Sequence, residues 1–506
     1  MKTFILPSLL FVSFFSLAQT PSSNRLQDLV DTEFLESLVL LKDWLSIPNN
    51  GANPEHVKNN LTYASSAFQD RGFETQVLKN GSVPLLLAER EIDKNSPTLL
   101  IYAHADGQPV DPKQWSQPDP YQPVLKEKND EGNWTIIPWS SLENETNPDW
   151  RIFGRSASDD KGPIAMLWTA LDIITNEKLP LSTNLKIVLD FEEELGSPNL
   201  PSAVTKFKER LSADMMIILD GPQHATNQPT LSFGARGIQT FTLKTFGAKT
   251  PQHSGHYGNY ITNPARQLSQ VLASFYTEDG RVAIPGYYDG VNISEAEMKA
   301  LKAVPDDEEQ LKRDLGFITQ DSVASFLKAS IQYPSLNIRG LRSGWVEDEV
   351  RTIVPNQAIA EFDIRLVKSS EPQRLIEVIR THIENQGYTL IDKEPTDEQR
   401  QNLDKIIQMN HSFSYEAFKT DIDSPVGVWL SQALEKAFGK SPIIIPGSGG
   451  SIPISPFVAA LNIPAVTVPL VNNDNNQHSP NENLRLGHYR DGILTVLALL
   501  TEEFNY

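Results

Sequence analysis

Acidic and histidine side chains recur in this sequence directly after apolar segments that have the composition of strands, or just before a predicted helix. They are His104, Asp106, Asp159, Asp160, Glu193, Glu194, Asp220 and His478. Carboxylate oxygens and imidazole nitrogens are the usual protein ligands of zinc and similar divalent cations. In an open α/β sheet, ligands bind in the crevice outside the carboxyl ends of the strands, so we expect these side chains to meet at one edge. The pattern predicts a divalent-metal site there.

The stretch LKIVLDFEEELGS (185–197) places three glutamates, Glu192 to Glu194, at the end of an apolar run. Adjacent carboxylates repel each other, and partial burial strengthens the repulsion. Two divalent ions about 3.5–4 Å apart would remove it, and they need a bridging carboxylate and an imidazole each. Three carboxylates among five ligands would leave an excess of about one positive charge, which keeps a bridging water acidic, near pKa ~7. A carboxylate outside the metal shell can then act as general base, so successive glutamates can divide the two tasks.

Each of these residues also has an ordinary structural explanation. Asp159 or Asp160 can cap the helix that follows, and Asp220, which is followed by a Gly-Pro pair, can form a turn. A single histidine such as His104 is more often structural than a ligand. The metal-site interpretation rests on the convergence of the whole set, which separate structural roles do not explain.

The composition is that of an acidic, folded protein. The 506 residues are 39% hydrophobic and 21% charged, and they carry a formal net charge of −20. An acidic chain lacks the basic face that binds phosphate backbones, so we expect no nucleic-acid partner. There are no cysteines, which excludes disulfides and thiolate metal ligands and leaves serine or threonine as the covalent nucleophiles.

The first 18 residues have the pattern of a cleaved secretory signal. Lys2 is followed by an apolar run from Phe4 to Phe15 and by the small-x-small sequence Ser16-Leu17-Ala18. The run is too short for a membrane span, and no second long apolar run follows. We therefore expect export to the periplasm or the extracellular space after cleavage near Ala18, with no membrane anchor.

Apolar segments and helical periodicity alternate from Pro97 onward. The strand-like runs include TLLIYA (98–103), LKIVLDF (185–191) and DMMIILD (214–220), and a helical pattern covers residues 162–175. Near-continuous apolar strands separated by helices are typical of a parallel sheet covered on both faces. The fold class expected is therefore α/β.

The middle of the sequence has a different pattern. GIQTFTLKTF (237–246) and AIAEFDIRLV (358–367) alternate apolar and polar residues, as strands of a sheet with one solvated face do. A smaller α+β domain, inserted in a discontinuous α/β domain, accounts for this. Two polar stretches, 126–150 and about 277–325, are interpreted as surface excursions. The boundaries predicted are 1–18 for the signal, 19–236 and 419–506 for the catalytic domain, and 237–418 for the inserted domain.

The order of the motifs resembles that of the co-catalytic di-zinc peptidases. The motifs are YAHADGQPVD (102–111), GRSASDDKGP (154–163), EEELGS (192–197), ILDG (218–221), HSGHYGN (253–259) and NNQHSPNEN (475–483). The family includes carnosinase-type dipeptidases, carboxypeptidase G, aminoacylase, and acetylornithine and succinyl-diaminopimelate deacylases. The resemblance extends from about residue 30 to the C-terminus, although Ser156 stands where glycine is common. It implies a mostly parallel-sheet catalytic domain with an inserted lid and dimerisation domain.

The resemblance also implies a role for each residue of the set. The ligands it implies are His104, Asp159 and Asp220 for one metal ion and Asp159, Glu194 and His478 for the other, with Asp159 as the bridge. Glu193 would be the general base and acid, and Asp106 would orient His104. A cis peptide between Asp159 and Asp160 is implied too. Zinc is the metal expected, with manganese or cobalt as alternatives.

The resemblance extends to the substrate contacts. His253 in the inserted domain would stabilise the oxyanion, in many members across a dimer interface, and a turn histidine is the structural alternative. Arg365 would bind the substrate carboxylate through its guanidinium fork, and a solvated charged strand face is an equal alternative. Gly450 and Ser451 lie in the glycine-rich loop PGSGGSIP (446–453). This loop would contact the C-terminal carboxylate of the substrate, or it is simply a tight turn.

The leading functional hypothesis is an exported di-zinc metallopeptidase that cleaves dipeptides or short peptides. Asp220, DDKGP and the GQP of the first motif favour the dipeptidase branch of the family. An N-acyl amino acid deacylase is the second hypothesis, because both reactions hydrolyse an amide beside a carboxylate. A non-catalytic binding protein is the third, and it predicts loss of Glu193 or of a ligand, which the sequence does not show. The partner expected is a small peptide, and a homodimer through the inserted domain is implied by the resemblance alone.

Overall fold

A computed structural model describes residues 21–450 and 452–504 of the chain. The signal sequence predicted over residues 1–18 and the substrate contact predicted at Ser451 lie outside the described residues.

Strands are distributed along the whole described chain. They are β1 (Glu74–Leu78), β2 (Leu85–Arg90), β3 (Thr98–His104), β4 (Val124–Lys128), β5 (Trp134–Ile137), β6 (Arg151–Phe153), β7 (Asn184–Asp190), β8 (Met215–Ile218), β9 (Thr230–Ser232), β10 (Gly234–Ala235), β11 (Gly237–Phe246), β12 (Gln252–His253), β13 (Asn337–Ser343), β14 (Ile353–Val354), β15 (Gln357–Leu366), β16 (Thr389–Ile391), β17 (Ile406–Tyr415), β18 (Phe418–Lys419), β19 (Ile443–Ile445), β20 (Ala465–Thr467) and β21 (Asn483–Arg485).

The helices fall before, between and after these strands. They are α1 (Ser23–Leu45), α2 (Pro54–Asp70), α3 (Lys161–Asn176), α4 (Leu200–Lys206), α5 (Ser254–Tyr257), α6 (Pro264–Ala273), α7 (Glu295–Ala303), α8 (Glu308–Leu315), α9 (Leu327–Ser330), α10 (Pro372–Glu384), α11 (Asp397–Asn402), α12 (Pro425–Phe438), α13 (Ser455–Leu461) and α14 (Leu486–Thr501).

The largest sheet has eight strands in the order β1-β2-β7-β3-β8-β20-β9-β19. Its centre, β7-β3-β8-β20, is parallel. At one edge β1 and β2 pair antiparallel, and β2 also runs antiparallel to β7. The α/β class is therefore confirmed. The apolar run at 465–471 forms a strand only as far as Thr467.

Strand β3 shows why this sheet is covered on both faces. Leu99 and Ile101 belong to the core that packs under α1, α3 and α14, whereas Leu100 and Tyr102 belong to the core beneath α4 and α13. Successive side chains of a strand point to opposite faces, so a strand buried on both sides must be apolar throughout. This is why TLLIYA forms a continuous apolar run.

The middle of the chain forms a second, five-stranded sheet in the order β13-β15-β11-β17-β16. Strand β11 begins and ends at the residues predicted from its alternation, and its burial alternates residue by residue. Phe241 and Phe362 stack on the buried face with ring centroids 4.3 Å apart, where α6 and α10 contribute to the same core. One face is therefore apolar and the other polar, as the period-two pattern predicts.

Most of residues 126–150, interpreted as a surface excursion, are exposed, but the stretch also contains paired strands. Strands β4 and β5 pair there, and β4 also pairs with β6 in a four-stranded sheet completed by β21. The buried Lys126 donates a hydrogen bond of 2.7 Å to Ser116 Oγ and lies over the Phe153 ring. Pairing with distant strands supplies hydrogen-bond partners that the local polar composition does not reveal. The polar stretch at 277–325 contains α7 and α8.

None of the helices within residues 21–450 and 452–504 combines the length and apolar character needed to cross a membrane.

A buried histidine on α14 makes stability depend on pH. Burial and the positive charges of Arg485 and Arg151 lower the pKa of His488 to about 4, and its Nε2 atom has no hydrogen-bond partner within residues 21–450 and 452–504. A histidine whose pKa is depressed by folding stabilises the fold fully above its unfolded pKa of 6.5. That contribution is lost as the pH falls toward the folded value.

Between pH 7 and pH 4 the unfolding free energy of the parent protein should fall by about 1–3 kcal/mol more than that of His488→Gln, because the glutamine side chain takes up no proton. Urea unfolding with chelator present in all samples measures the difference. The matched control is His411→Gln, at an exposed histidine on β17. Parallel pH profiles for His488→Gln and the parent would contradict this account.

Candidate two-metal site

Two groups of ligand atoms lie close enough together to hold one cation each. Within each group the ligand atoms all lie within 4.8 Å of one another. The groups are His104, Asp159 and Asp220, and Asp159, Glu194 and His478. The structure therefore brings together all five residues that the resemblance implies as ligands, and Asp159 is common to both groups.

The two carboxylate oxygens of Asp159 face different histidines. Oδ1 lies 2.9 Å from His104 Nε2, and Oδ2 lies 3.0 Å from His478 Nε2. His478 Nε2 is also 3.2 Å from Glu194 Oε2, and Gln108 Nε2 donates a 2.8 Å hydrogen bond to the same oxygen. A carboxylate with one oxygen directed to each ligand group has the arrangement that a bridging ligand requires.

The parallel sheet explains the convergence. His104 ends β3, which pairs with β7 on one side and with β8 on the other. The glutamates follow β7 and Asp220 follows β8, so these ligands reach the same carboxyl edge from three neighbouring strands. Asp159 comes from the loop before α3, and His478 from the loop between β20 and β21.

The cluster carries more negative than positive charge. Burial and the nearby charge of Asp159 raise the pKa of Asp220 to about 6 and that of Glu194 to about 7. Burial also raises the pKa of Glu193. Burial opposes ionisation of Asp159 too, but hydrogen bonds from its two histidines outweigh that effect and lower the pKa of this carboxyl. Further positive charge would favour full ionisation of these crowded carboxyl groups at neutral pH.

Two divalent ions fit this donor set. Three carboxyl groups and two imidazoles supply oxygen and nitrogen ligands, which suit zinc, manganese and cobalt alike. Two divalent ions would supply the positive charge that balances the ionised carboxylates. The residues present therefore fit the dinuclear site that the resemblance implies.

Asp106 lies beside His104, which it is predicted to orient, and it also holds the turn that follows β7. Its Oδ1 atom lies 3.4 Å from His104 Nδ1, which is longer than an ordinary hydrogen bond. The same carboxylate accepts hydrogen bonds from the backbone N–H groups of Glu193, at 3.1 Å, and Glu194, at 3.2 Å. It therefore fixes the turn that carries both glutamates relative to β3.

The first of the three consecutive glutamates has a structural role. The Glu192 carboxylate accepts hydrogen bonds from the backbone and side-chain nitrogens of Asn199, at 3.1 and 3.0 Å. The neighbouring Asp190 accepts one from Ser197 Oγ, at 2.6 Å. Both contacts hold the turn that follows β7. Of the three glutamates, therefore, only Glu193 and Glu194 are available to the metal site.

The residue that holds the Asp159 loop, which we define as residues 154–160, is one that no sequence pattern predicts. Glu482 is fully buried, and its carboxylate accepts hydrogen bonds of 2.9 Å from the backbone N–H groups of Ser156, Ser158 and Asp159. Arg155 Nη1 donates a further bond of 2.8 Å. One buried glutamate thus ties the Asp159 loop to the segment that carries His478. The motif NNQHSPNEN contains Glu482, but only its contacts reveal the role.

Two backbone features of the Asp159 loop agree with the sequence analysis. The peptide between Asp159 and Asp160 is cis, as the resemblance implies. Ser156 has a φ of +61°, a left-handed conformation that favours glycine and explains why glycine is common at this position. Asn49 Nδ2 donates a 2.8 Å hydrogen bond to Ser156 Oγ.

The residues implied as substrate contacts are not part of this cluster. His253 is exposed on β12, where its Nδ1 atom accepts a hydrogen bond from Gly255 N and caps α5. Arg365 lies on β15, 3.7 Å from Asp363, and its side chain is 37% exposed. Gly450 O accepts a 3.0 Å hydrogen bond from the backbone of Arg236. Their roles toward substrate stay predictions.

The sheet edge and the shared aspartate are those of a two-metal hydrolase. The chain belongs to Peptidase family M20/M25/M40, whose model matches residues 100–502, and the resemblance seen in the motifs is thereby confirmed. The protein is a peptidase-type hydrolase.

Relatives of known activity align over almost the whole chain. It is 26% identical over 497 residues to a human Beta-Ala-His dipeptidase, covering 94% of this chain and 91% of that protein. It is 25% identical over 495 residues to a Cys-Gly metallodipeptidase of Schizosaccharomyces pombe, covering 93% and 96%.

Solved structures show the same fold. An M20 family metallo-carboxypeptidase from Sulfolobus solfataricus superposes with a TM-score of 0.70 at 28% identity, covering 92% of this chain and 99% of that chain. Human carnosine dipeptidase 1 gives 0.66 at 24% identity, covering 96% and 99%.

We expect Glu482→Gln to lower the free energy of unfolding by about 3–5 kcal/mol, because it leaves Arg155 buried without its counter-ion. Metal affinity should fall by about 10–100-fold, since the Asp159 loop loses its support. Urea unfolding and metal titration measure the two effects.

The matched control is Asp149→Asn. Asp149 pairs with Arg485 at 2.8 Å, but its side chain is 77% exposed. An exposed ion pair contributes less than about 1 kcal/mol. Similar losses in the two variants would contradict the role given to Glu482.

Proposed function

We propose that this protein is a metal-dependent peptidase that hydrolyses dipeptides, with Glu193 as general base. The observation that carries the proposal is the pair of ligand groups sharing Asp159, next to Glu193, a partly buried glutamate that neither group uses. The substrate class is supported by two relatives, a Beta-Ala-His dipeptidase and a Cys-Gly metallodipeptidase, each of which aligns over more than nine-tenths of the chain.

His104, Asp159, Asp220, Glu194 and His478 would hold two divalent ions, whose chemistry would be to polarise the scissile carbonyl and to make the attacking water more acidic. Glu193 accepts the proton of the attacking water and returns it to the leaving amine. Its backbone is fixed by Asp106, and burial raises its pKa, which favours a carboxyl group able to hold a proton between the two steps. Glu194, one residue further on, contributes its carboxylate to the second ligand group.

We infer that Arg365, Gly450 and Ser451 bind the carboxylate of the substrate. Arg365 is partly exposed and offers a planar fork that matches a carboxylate. A side chain at Gly450 would meet no atom within 4 Å, so a ligand can approach the backbone there. His253 would stabilise the oxyanion from a second copy of the chain, because its exposed position on β12 suits a contact between subunits.

Export, dimerisation and zinc as the bound metal are also proposed. Export rests on the signal-like pattern of residues 1–18. Dimerisation through the five-stranded sheet is supported by exposed apolar side chains in that part of the chain, among them Leu341, Trp345 and Val350. Zinc suits the ligands, as do manganese and cobalt.

Release of single C-terminal residues from longer peptides is a second candidate function. It is favoured by the metallo-carboxypeptidase with a TM-score of 0.70 and 28% identity. Both activities need the same metal site and a free substrate carboxylate, so they differ only in the length of peptide accepted.

The first test is a substrate panel read by mass spectrometry. Protein without residues 1–18, loaded with zinc or manganese, is incubated with free dipeptides, tripeptides and N-acetylated amino acids. We expect cleavage of dipeptides and loss of activity with chelator. Stepwise C-terminal release from tripeptides would favour the carboxypeptidase. Cleavage of N-acetyl substrates alone would identify a deacylase, and no turnover with both metals bound would favour a binding protein.

We expect Glu193→Gln to lower kcat by about 10²–10⁴-fold, because a glutamine cannot accept the proton. Both metal ions should remain bound, since neither ligand group contains this residue. Steady-state kinetics and metal analysis of the same preparation test both parts. Glu192→Gln is the neighbouring control and should affect stability more than kcat. An active Glu193→Gln enzyme would refute the assignment of the base.

A further inference from the structure

Strand β4 carries a buried cation, Lys126. Only 1% of its surface is exposed, and burial lowers the pKa of its ammonium group to about 8, so the group still carries its proton at pH 7. No carboxylate forms an ion pair with it among the described residues. Lysine is rarely buried without a counter-ion, because desolvating the ammonium group is unfavourable. Its Nζ atom donates a 2.7 Å hydrogen bond to Ser116 Oγ, and Ser116 is thus the polar partner through which Lys126 can act.

Ser116 connects this lysine to Asn481. The backbone N–H and the hydroxyl of Ser116 both donate to Asn481 Oδ1, at 2.8 and 2.7 Å. An ammonium group has donors only, so Ser116 Oγ must accept from Lys126 and direct its own proton elsewhere. Asn481 Oδ1 receives that proton, which fixes the orientation of the Asn481 amide. The charged lysine therefore orients a hydroxyl and, through it, an amide.

Asn481 ends the His478 turn, which we define as residues 476–481. Asn476, His478 and Asn481 have φ angles of +57°, +59° and +62°, a left-handed conformation that is unfavourable for residues other than glycine. Asn476 Nδ2 closes the turn with a 3.3 Å hydrogen bond to Asn481 O. The side chain of His478 is 54% exposed, so core packing does not hold it. The turn therefore depends on contacts such as those that Ser116 makes with Asn481.

The segment around Ser116 is itself held in place. The guanidinium of Arg155, in the Asp159 loop, lies 5.3 Å from the centre of the Trp115 ring. On the other side of Ser116, Gln117 Nε2 donates a 3.1 Å hydrogen bond to Phe153 O. Both neighbours of Ser116 are thus attached to segments next to the metal cluster. Ser116 is therefore a fixed point from which Asn481 can be positioned.

We propose that Lys126 is a positioning residue for the second ligand group, and that it holds the His478 turn through Ser116 and Asn481. The inference rests on the two-metal site of the proposed function and gives the buried lysine of β4 a role in that site. Contact with the Phe153 ring, 4.2 Å from Nζ, is the purely structural alternative. The two roles predict different effects when the charge is removed.

Lys126→Met separates these roles by zinc titration of the metal-free protein. We expect binding of one of the two zinc ions to weaken by about 10-fold or more, the range for residues that orient a metal ligand from outside the ligand group. The other ion should be affected less. The free energy of unfolding in chelator should not fall, because methionine replaces a buried cation with an apolar side chain of similar length. Lys128→Met, at an exposed lysine on the same strand, is the matched control and should change neither quantity.

Ser116→Ala tests the chain of hydrogen bonds. It should weaken the same zinc ion by a similar factor, and the double variant Lys126→Met/Ser116→Ala should bind no more weakly than either single variant, since both changes break one connection. Lys126→Arg, which keeps a charged donor, should restore part of the affinity. Additive losses in the double variant would overturn the connection. Unchanged binding of both ions in Lys126→Met, or equal weakening of both together with a lower unfolding free energy, would overturn the positioning role.

Failure of this inference can be distinguished from failure of the proposed function. An active dipeptidase whose Lys126→Met variant binds both ions as the parent does would overturn this inference alone. If the parent binds zinc but cleaves no peptide, the proposed function fails and the titrations still test Lys126. If the parent binds no metal, hydrogen exchange of residues 476–481 tests the positioning by itself. Faster exchange in Lys126→Met than in Lys128→Met would support it, and equal exchange would overturn it.

Discussion

Asp159 places one carboxylate oxygen 2.9 Å from His104 and the other 3.0 Å from His478, and the rest of the site is arranged around this residue. Negative charge collects beside it from three strand ends, which is unfavourable unless cations bind. The fold holds that arrangement from two sides. Glu482 supports the Asp159 loop through three backbone hydrogen bonds, and Asp106 supports the turn with Glu193 and Glu194.

This support explains how one sheet edge can keep so many acids together. The parallel strands β7, β3 and β8 are buried on both faces, so their ends cannot shift without disturbing two hydrophobic cores. The ligands on loops are less constrained by the sheet, and buried hydrogen bonds hold those loops in position. Rigid strands thus set the spacing of the site, while Glu482 and Asp106 set the orientation of its loops.

The segment between β12 and β13 contributes, together with Arg236, to a cavity whose chemistry differs from that of the metal cluster. The metal cluster is polar and acidic, whereas the cavity near Arg236 is apolar with one buried cation. Arg236, which lines the cavity, donates a backbone hydrogen bond to Gly450 of the glycine-rich loop.

The resemblance of the motifs implied which five residues form the two ligand groups. The sequence by itself determined the α/β class, the alternating strands β11 and β15, and the ionisable residues expected at the sheet edge. Each depends on local periodicity or on the position of an ionisable residue at the end of an apolar run, and both are visible in the chain. Only the tertiary structure decided that β4 and β5 belong to a sheet, that Glu482 holds the Asp159 loop, and that Arg236 lies buried at a cavity. Those facts depend on partners far away in the sequence, and no local pattern encodes which distant group will satisfy a buried charge or a strand edge.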